Sequence, residues 1–151
     1  MRAYTCRDGR GPLLDAFQAK CILPLSRLLF PREGGEFSTH HSFMVQYKQG
    51  EDLGLDMHTD ACDVTLNVCL GREFTGAGLT FCGLRGDASG TERRFSYRHT
   101  HVKGKALLHL GHQRHGADDI VTGARSSSSS TLHHLSCHHQ LHHPHLHSPS
   151  L

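Results

Sequence analysis

The chain has 151 residues, a formal net charge of +2 with histidine neutral, and a sequence pI near 8.3. That length suits one domain around a single core, and so mild a charge argues against nucleic acid or an anionic membrane surface as partner, since those show as clustered Lys and Arg. No apolar run nears the roughly 18 residues that span a bilayer, and the opening MRAYTCRDGRGPLLD lacks the apolar block of a signal peptide, so the expectation is a soluble intracellular protein.

In chain order, the first predicted elements lie within residues 12–30. Leu13, Leu14, Phe17 and Cys21 fall at helical spacing, Pro24 interrupts, and Leu25, Leu28 and Leu29 resume the pattern up to Pro31, which predicts two short helical pieces. From HHSFMVQYKQG onward the period changes to two. Phe43, Val45 and Tyr47 share one face, then Val64, Leu66, Val68 and Leu70, then Leu79 and Phe81, then Ala106, Leu108 and Leu110. Glycines punctuate these runs at short intervals, so the body reads as mostly β, a barrel or sandwich of short strands.

Composition changes after Arg125. Residues 126–151, SSSSSTLHHLSCHHQLHHPHLHSPSL, carry no Asp, Glu, Lys or Arg and no apolar period, which predicts a disordered Ser/His-rich tail whose histidines collect divalent metal only adventitiously. Half of the 16 histidines fall in these last 26 residues. Cys6, Cys21, Cys62, Cys69, Cys82 and Cys137 form no C-x-x-C pair, so free thiols in a reducing compartment are expected.

The stretch with chemistry in it is LDMHTDACDVTLNVCL, residues 55–70. Side chains at i and i+2 of an extended segment point the same way, so His58 and Asp60 can reach one ion. Two imidazoles and a carboxylate on one face of a metal form the site that suits non-haem Fe(II) and leaves positions open. His115, after the strand-like KALLHL, is the candidate third ligand. On spacing alone a turn with a surface carboxylate stands beside this reading, because among this many His and Asp one His-x-Asp arises by chance about once. HLGHQRH also sets His109, His112 and His115 three apart, the spacing of a zinc site on a helix, but Gly111 and the alternation of KALLHL speak for a strand instead. Asp118 and Asp119 are either an outer shell orienting His115 or a solvated loop pair.

Taken together, HSFMVQYKQGEDLGLDMHTDACDVTLNVCLGREFTGAGLTF and GKALLHLGHQRHGADDIVTGAR resemble the prolyl 4-hydroxylase-like branch of the Fe(II)- and 2-oxoglutarate-dependent oxygenases. The resemblance begins near GPLLDAFQ and stops at Arg125. It implies a double-stranded β-helix, or jelly-roll, core behind N-terminal helices. His58, Asp60 and His115 would be the iron ligands and the catalytic centre. Arg125 would hold the distal carboxylate of 2-oxoglutarate through its guanidinium fork. Tyr47 either lines the cosubstrate pocket or is a core aromatic. The implied activity is hydroxylation by O2, with a protein prolyl or lysyl residue as the family's substrate class and L-ascorbate keeping the iron reduced.

Relatives continue past the arginine into an apolar strand of the main sheet, where this chain has SSSSSTLHHLSCHH. The expectation is therefore a partial domain, residues 1–125, with its last core strand missing and its N-terminal side short of upstream segments. That describes a truncated or alternatively spliced form of impaired competence. The alternative is a non-catalytic chain acting by interaction, with incidental metal binding by its tail.

Overall fold

The computed structural model describes residues 2–5, 11–37, 39–71, 73–84 and 96–133. Among the described residues, ten strands and one helical run make two antiparallel sheets that face each other, the expected jelly-roll. The main sheet runs β1 (Arg2–Thr5), β2 (Thr39–Lys48), β10 (Ile120–His133), β4 (Val64–Cys69) and β8 (Ala106–Leu110), with β5 (Phe74–Gly76) on the first residues of β10. The smaller sheet runs β3 (Leu55–His58), β9 (Gln113–Ala117), β6 (Leu79–Leu84) and β7 (Ser96–His99).

The period of two decides which side chains meet. Val45 and Tyr47 of β2 point inward and join Ala77, Leu79, Phe81, Ala117 and Ile120 in a core between the sheets, with Phe43 packed against it. On the outer face of the main sheet, Val64, Leu66 and Leu132 pack with Ile22 of the helical run, joined by Val68, Leu108 and Leu110. Strand β4 is thus covered on both faces. Its odd positions, Thr65, Asn67 and Cys69, face the interior beside β8 and β10, which leaves polar groups inside that need partners.

Two expectations are corrected. The helical run is unbroken: α1 (Gly11–Phe17) passes through a π turn over Gln18–Ile22 into α2 (Leu23–Leu29). Pro24 lies in the first turn of α2, and the wider turn before it, in which Leu23 N–H reaches Gln18 O, absorbs the ring and the missing donor without a break.

The second correction concerns the strand expected to be missing. Residues 126–133 are the second half of β10, in the middle of the main sheet, where Ser127 pairs with both Val45 and Cys69 and Leu132 with both His40 and Val64. A strand ladder is built from backbone groups, so a serine run supplies its N–H and C=O as well as an apolar run does. The small side chains then fit the space left to them. Ser127 and Ser129 are buried, Ser42 and Ser130 share a hydroxyl hydrogen bond of 2.7 Å, and Leu132 anchors the outer face. The tail expected from residue 126 does not begin there, and residues 134–151 lie outside those described.

Cys21, Cys62, Cys69 and Cys82 are free thiols as expected, while Cys6 and Cys137 lie outside the described residues. Among the described residues, no helix is long and apolar enough to cross a membrane.

Candidate metal centre and carboxylate pocket

His58 closes β3 and stands opposite His115 of β9, which in turn stands opposite Phe81 of β6. Pairing across adjacent strands therefore brings together two imidazoles separated by 57 residues of chain, with ring centroids 4.4 Å apart. Asp60 reaches the same point from the loop after β3. Gly111 holds that loop by accepting from Asp60 N–H at 2.9 Å and donating to Asp63 O at 2.9 Å. A Cβ at position 111 would run into the carbonyl of Cys62, so glycine is required by the closeness of the two segments.

The orientation of the three side chains is the informative feature. The Nδ1 of His58 lies 2.8 Å from Asp56 O and that of His115 2.9 Å from Gln113 O. A carbonyl only accepts, so these bonds place the ring proton on Nδ1 and leave each Nε2 as a free lone pair. Both Nε2 atoms face Asp60, at 3.6 Å from Oδ1 for His58 and 3.7 Å from Oδ2 for His115. These separations are too long for hydrogen bonds and of the size at which two imidazoles and one carboxylate would share an ion. Among the described residues, His58, Asp60 and His115 form the group whose ligand atoms all lie within 4.8 Å of one another. The donor set fits a transition metal that accepts two imidazoles and a carboxylate.

Charge supports the same use. Burial works against an ionised Asp60, but the facing His58, the Thr65 hydroxyl and the nearby His115 and His109 hold its carboxyl below its ordinary range. Burial lowers the pKa of His115. The Asp60 carboxylate raises that of His58 against the opposing effect of burial. His109, on the inner face of β8, is pushed down to about 4 by burial and packs edge-on to His115 at 4.5 Å between ring centroids. Phe81 stacks on His115 and meets His109 edge-on at 5.2 Å between ring centroids, so the buried ligand is packed among rings.

The zinc spacing of HLGHQRH dissolves in the fold. His109 is on β8, His115 on β9 and His112 in the turn between sheets. Asp118 accepts from Thr80 at 2.7 Å and from Arg98 at 2.6 Å, and His115 is oriented by Gln113 O instead.

Arg125 lies on β10 opposite Tyr47, 1% exposed, with its guanidinium carbon 5.3 Å above the Tyr47 ring. Its contacts are neutral: Ala77 O at 2.6 Å, Ser127 Oγ at 3.2 Å and Asn67 Oδ1 at 3.5 Å. No carboxylate among the described residues pairs with it, and its Nε has no partner. Nearby, His101 is buried with an unpartnered Nε2, and burial together with the charge on Arg125 lowers it to about 3. A buried cation without a counter-ion is costly, so this arrangement fits a carboxylate from outside the chain. Tyr47 is part of the core and lies beneath Arg125; burial raises its pKa and the phenol stays protonated.

Thr65, Asn67 and His101 were not singled out in the sequence. Their signal was present for the first two, as polar residues alternating with Val64, Leu66 and Val68 on a strand that is covered on both faces. His101 follows no pattern.

No protein-family model matches the chain. Over 141 residues it is 36% identical to the 2-oxoglutarate and iron-dependent oxygenase domain-containing protein CP2 of Arabidopsis thaliana, a match covering 87% of this chain and 36% of that protein. Over 115 residues it is 39% identical to the 2-oxoglutarate and iron-dependent oxygenase domain-containing protein 2 of Mus musculus, covering 76% and 32%. The chain thus spans about a third of the length of these curated relatives. A prolyl-4-hydroxylase from Pseudomonas putida matches in fold, with a TM-score of 0.62 at 15% identity over 87% of this chain and 68% of that one. Over the residues that align, the chain is thus similar in sequence to 2-oxoglutarate and iron-dependent oxygenases, and its fold is that of a prolyl-4-hydroxylase.

Proposed function

We propose that the chain is a dioxygenase domain that binds Fe(II) through His58, Asp60 and His115, binds 2-oxoglutarate through Arg125 above Tyr47, and hydroxylates an organic substrate. The observation that carries this reading is the pair of free Nε2 lone pairs aimed at one carboxylate. When bound, iron and 2-oxoglutarate supply the oxidising power by which O2 turns a substrate C–H into C–OH while the cosubstrate becomes succinate and CO2. The protein's own residues do the rest. Three ligands on one side leave the opposite positions open. The charge on Asp60 favours a cation, and His109 and Phe81 exclude water around His115. A protein prolyl or lysyl residue is the substrate class we favour, supported by the prolyl-4-hydroxylase fold and by relatives at the level of family. L-ascorbate would return oxidised iron to Fe(II).

The non-catalytic alternative rested on an absent strand and a short N-terminal side, and the presence of β10 in the strand's place supports the catalytic reading. The deciding experiment is anaerobic: Fe(II) and 2-oxoglutarate are added to the purified chain and the visible metal-to-ligand charge-transfer band is recorded. The band is expected in the wild type and absent in His58→Ala. A folded wild type that shows no band would sink the proposal.

A further inference from the structure

Thr65 stands on the inner face of β4, 2% exposed, beside the three candidate ligands but outside their set. Its hydroxyl donates to Asp60 Oδ2 at 2.5 Å, the length of a hydrogen bond to an ionised carboxylate. A hydroxyl has one proton to donate. With that proton on Asp60, the Thr65 oxygen accepts from Cys62, whose Sγ lies 3.2 Å away; the carbonyl of Val64, at 3.5 Å, competes for the same thiol proton. The direction is thus set at Thr65, whose O–H goes to Asp60, while the Cys62 thiol proton is shared between Thr65 Oγ1 and the Val64 carbonyl. Thr65 is itself held by β4's pairing with both neighbours, opposite Thr131 of β10 and His109 of β8.

We infer that Thr65, backed by Cys62, is a positioning residue that fixes the rotation of the Asp60 carboxylate so that it offers the ion one oxygen, Oδ1, instead of two. This rests on the reading of His58, Asp60 and His115 as a metal site. The terminal torsion of an aspartate is broad, and Asp60 sits on a loop, so without a donor on Oδ2 the carboxylate could turn and chelate through both oxygens. That would occupy a coordination position that must stay open for a cosubstrate. A partner of this kind, which touches the ligand and not the metal, is typically worth 10–100-fold in metal affinity.

The test uses Co(II) as probe, with affinity measured by competition against a chromophoric chelator and site geometry read from the Co(II) visible spectrum. Thr65→Val keeps shape and strand propensity while removing the donor, and Thr65→Ala removes it without replacing the second branch. Both are expected to bind Co(II) about 10–100-fold more weakly with an altered spectrum, while Thr65→Ser keeps the wild-type spectrum and most of the affinity. Cys62→Ala, which removes only the backing donor, should lose less than Thr65→Val. Should one Thr65 variant fail to fold, the other carries the comparison with Thr65→Ser. If Thr65→Val or Thr65→Ala binds as the wild type does, or if Thr65→Ser loses as much as they do, the inference is overturned and the metal reading stands. If the wild type shows no Co(II) binding that His58→Ala removes, both are overturned.

Discussion

His58 and His115 occupy paired positions on neighbouring strands, ring against ring at 4.4 Å, each with Nδ1 on a backbone carbonyl and Nε2 toward Asp60. For a buried structural pair this is a poor arrangement, because two imidazoles so close repel each other once both are protonated. It is a good one for two lone pairs converging on an ion. The same pairing makes the site depend on backbone geometry at some distance from the ligands.

Gly111 is where that dependence is sharpest. Gly111→Ala would press its methyl against the Cys62 carbonyl and shift the loop that carries Asp60. The expected result is a loss of about 1–3 kcal/mol in chemical denaturation, the range for forced overpacking, together with weaker metal binding. An unchanged midpoint and unchanged metal affinity would show that the loop has more room than the structure gives it.

Ser128 tests the serine strand. It pairs with Met44 on one side and Val68 on the other, so Ser128→Pro removes an N–H and clashes in the centre of the main sheet. A loss of more than about 3 kcal/mol, or failure to fold, is expected, read by circular dichroism and thermal melting. In a disordered tail the same substitution would change nothing, which makes the outcome decisive.

Arg125 carries a buried charge whose hydrogen-bond partners among the described residues are all neutral. Arg125→Met removes the charge at similar length, so the ligand-free fold should be as stable as the wild type or more so, as buried ion replacements often are. Added 2-oxoglutarate should then separate the two proteins. At one hundred times its dissociation constant it would stabilise the wild type by about 2.7 kcal/mol and leave Arg125→Met unmoved. Equal responses in thermal shift would refute the assignment of the pocket.

His101 predicts a pH dependence. Burial first, then the charges on Arg125 and His99, lower its pKa from 6.5 to about 3 in the fold. Between those two values the unfolded chain binds a proton that the folded chain does not, so stability falls as pH drops from about 6.5 toward 3 and is recovered as pH rises. His101→Gln should flatten this part of the curve in urea titrations at pH 7 and pH 4.5. A variant as acid-sensitive as the wild type would place the dependence elsewhere.

By itself the sequence determined the side-chain period, and with it most of the fold. Phe43, Val45 and Tyr47 face the core, Val64, Leu66 and Val68 the helical run, as their alternation required. It also placed His58 and Asp60 on one side of a short extended segment, offered His115 as the third ligand, and named Arg125 through a resemblance. Only the tertiary structure decided that residues 126–133 form a central strand, because the ladder is written in the backbone and a serine run looks the same paired or free. It alone showed Thr65 on Asp60, Gly111 against Cys62 and His101 beside Arg125. These contacts join residues from different strands, and which polar groups come to share a buried space is set by sheet register, a property that local pattern does not encode.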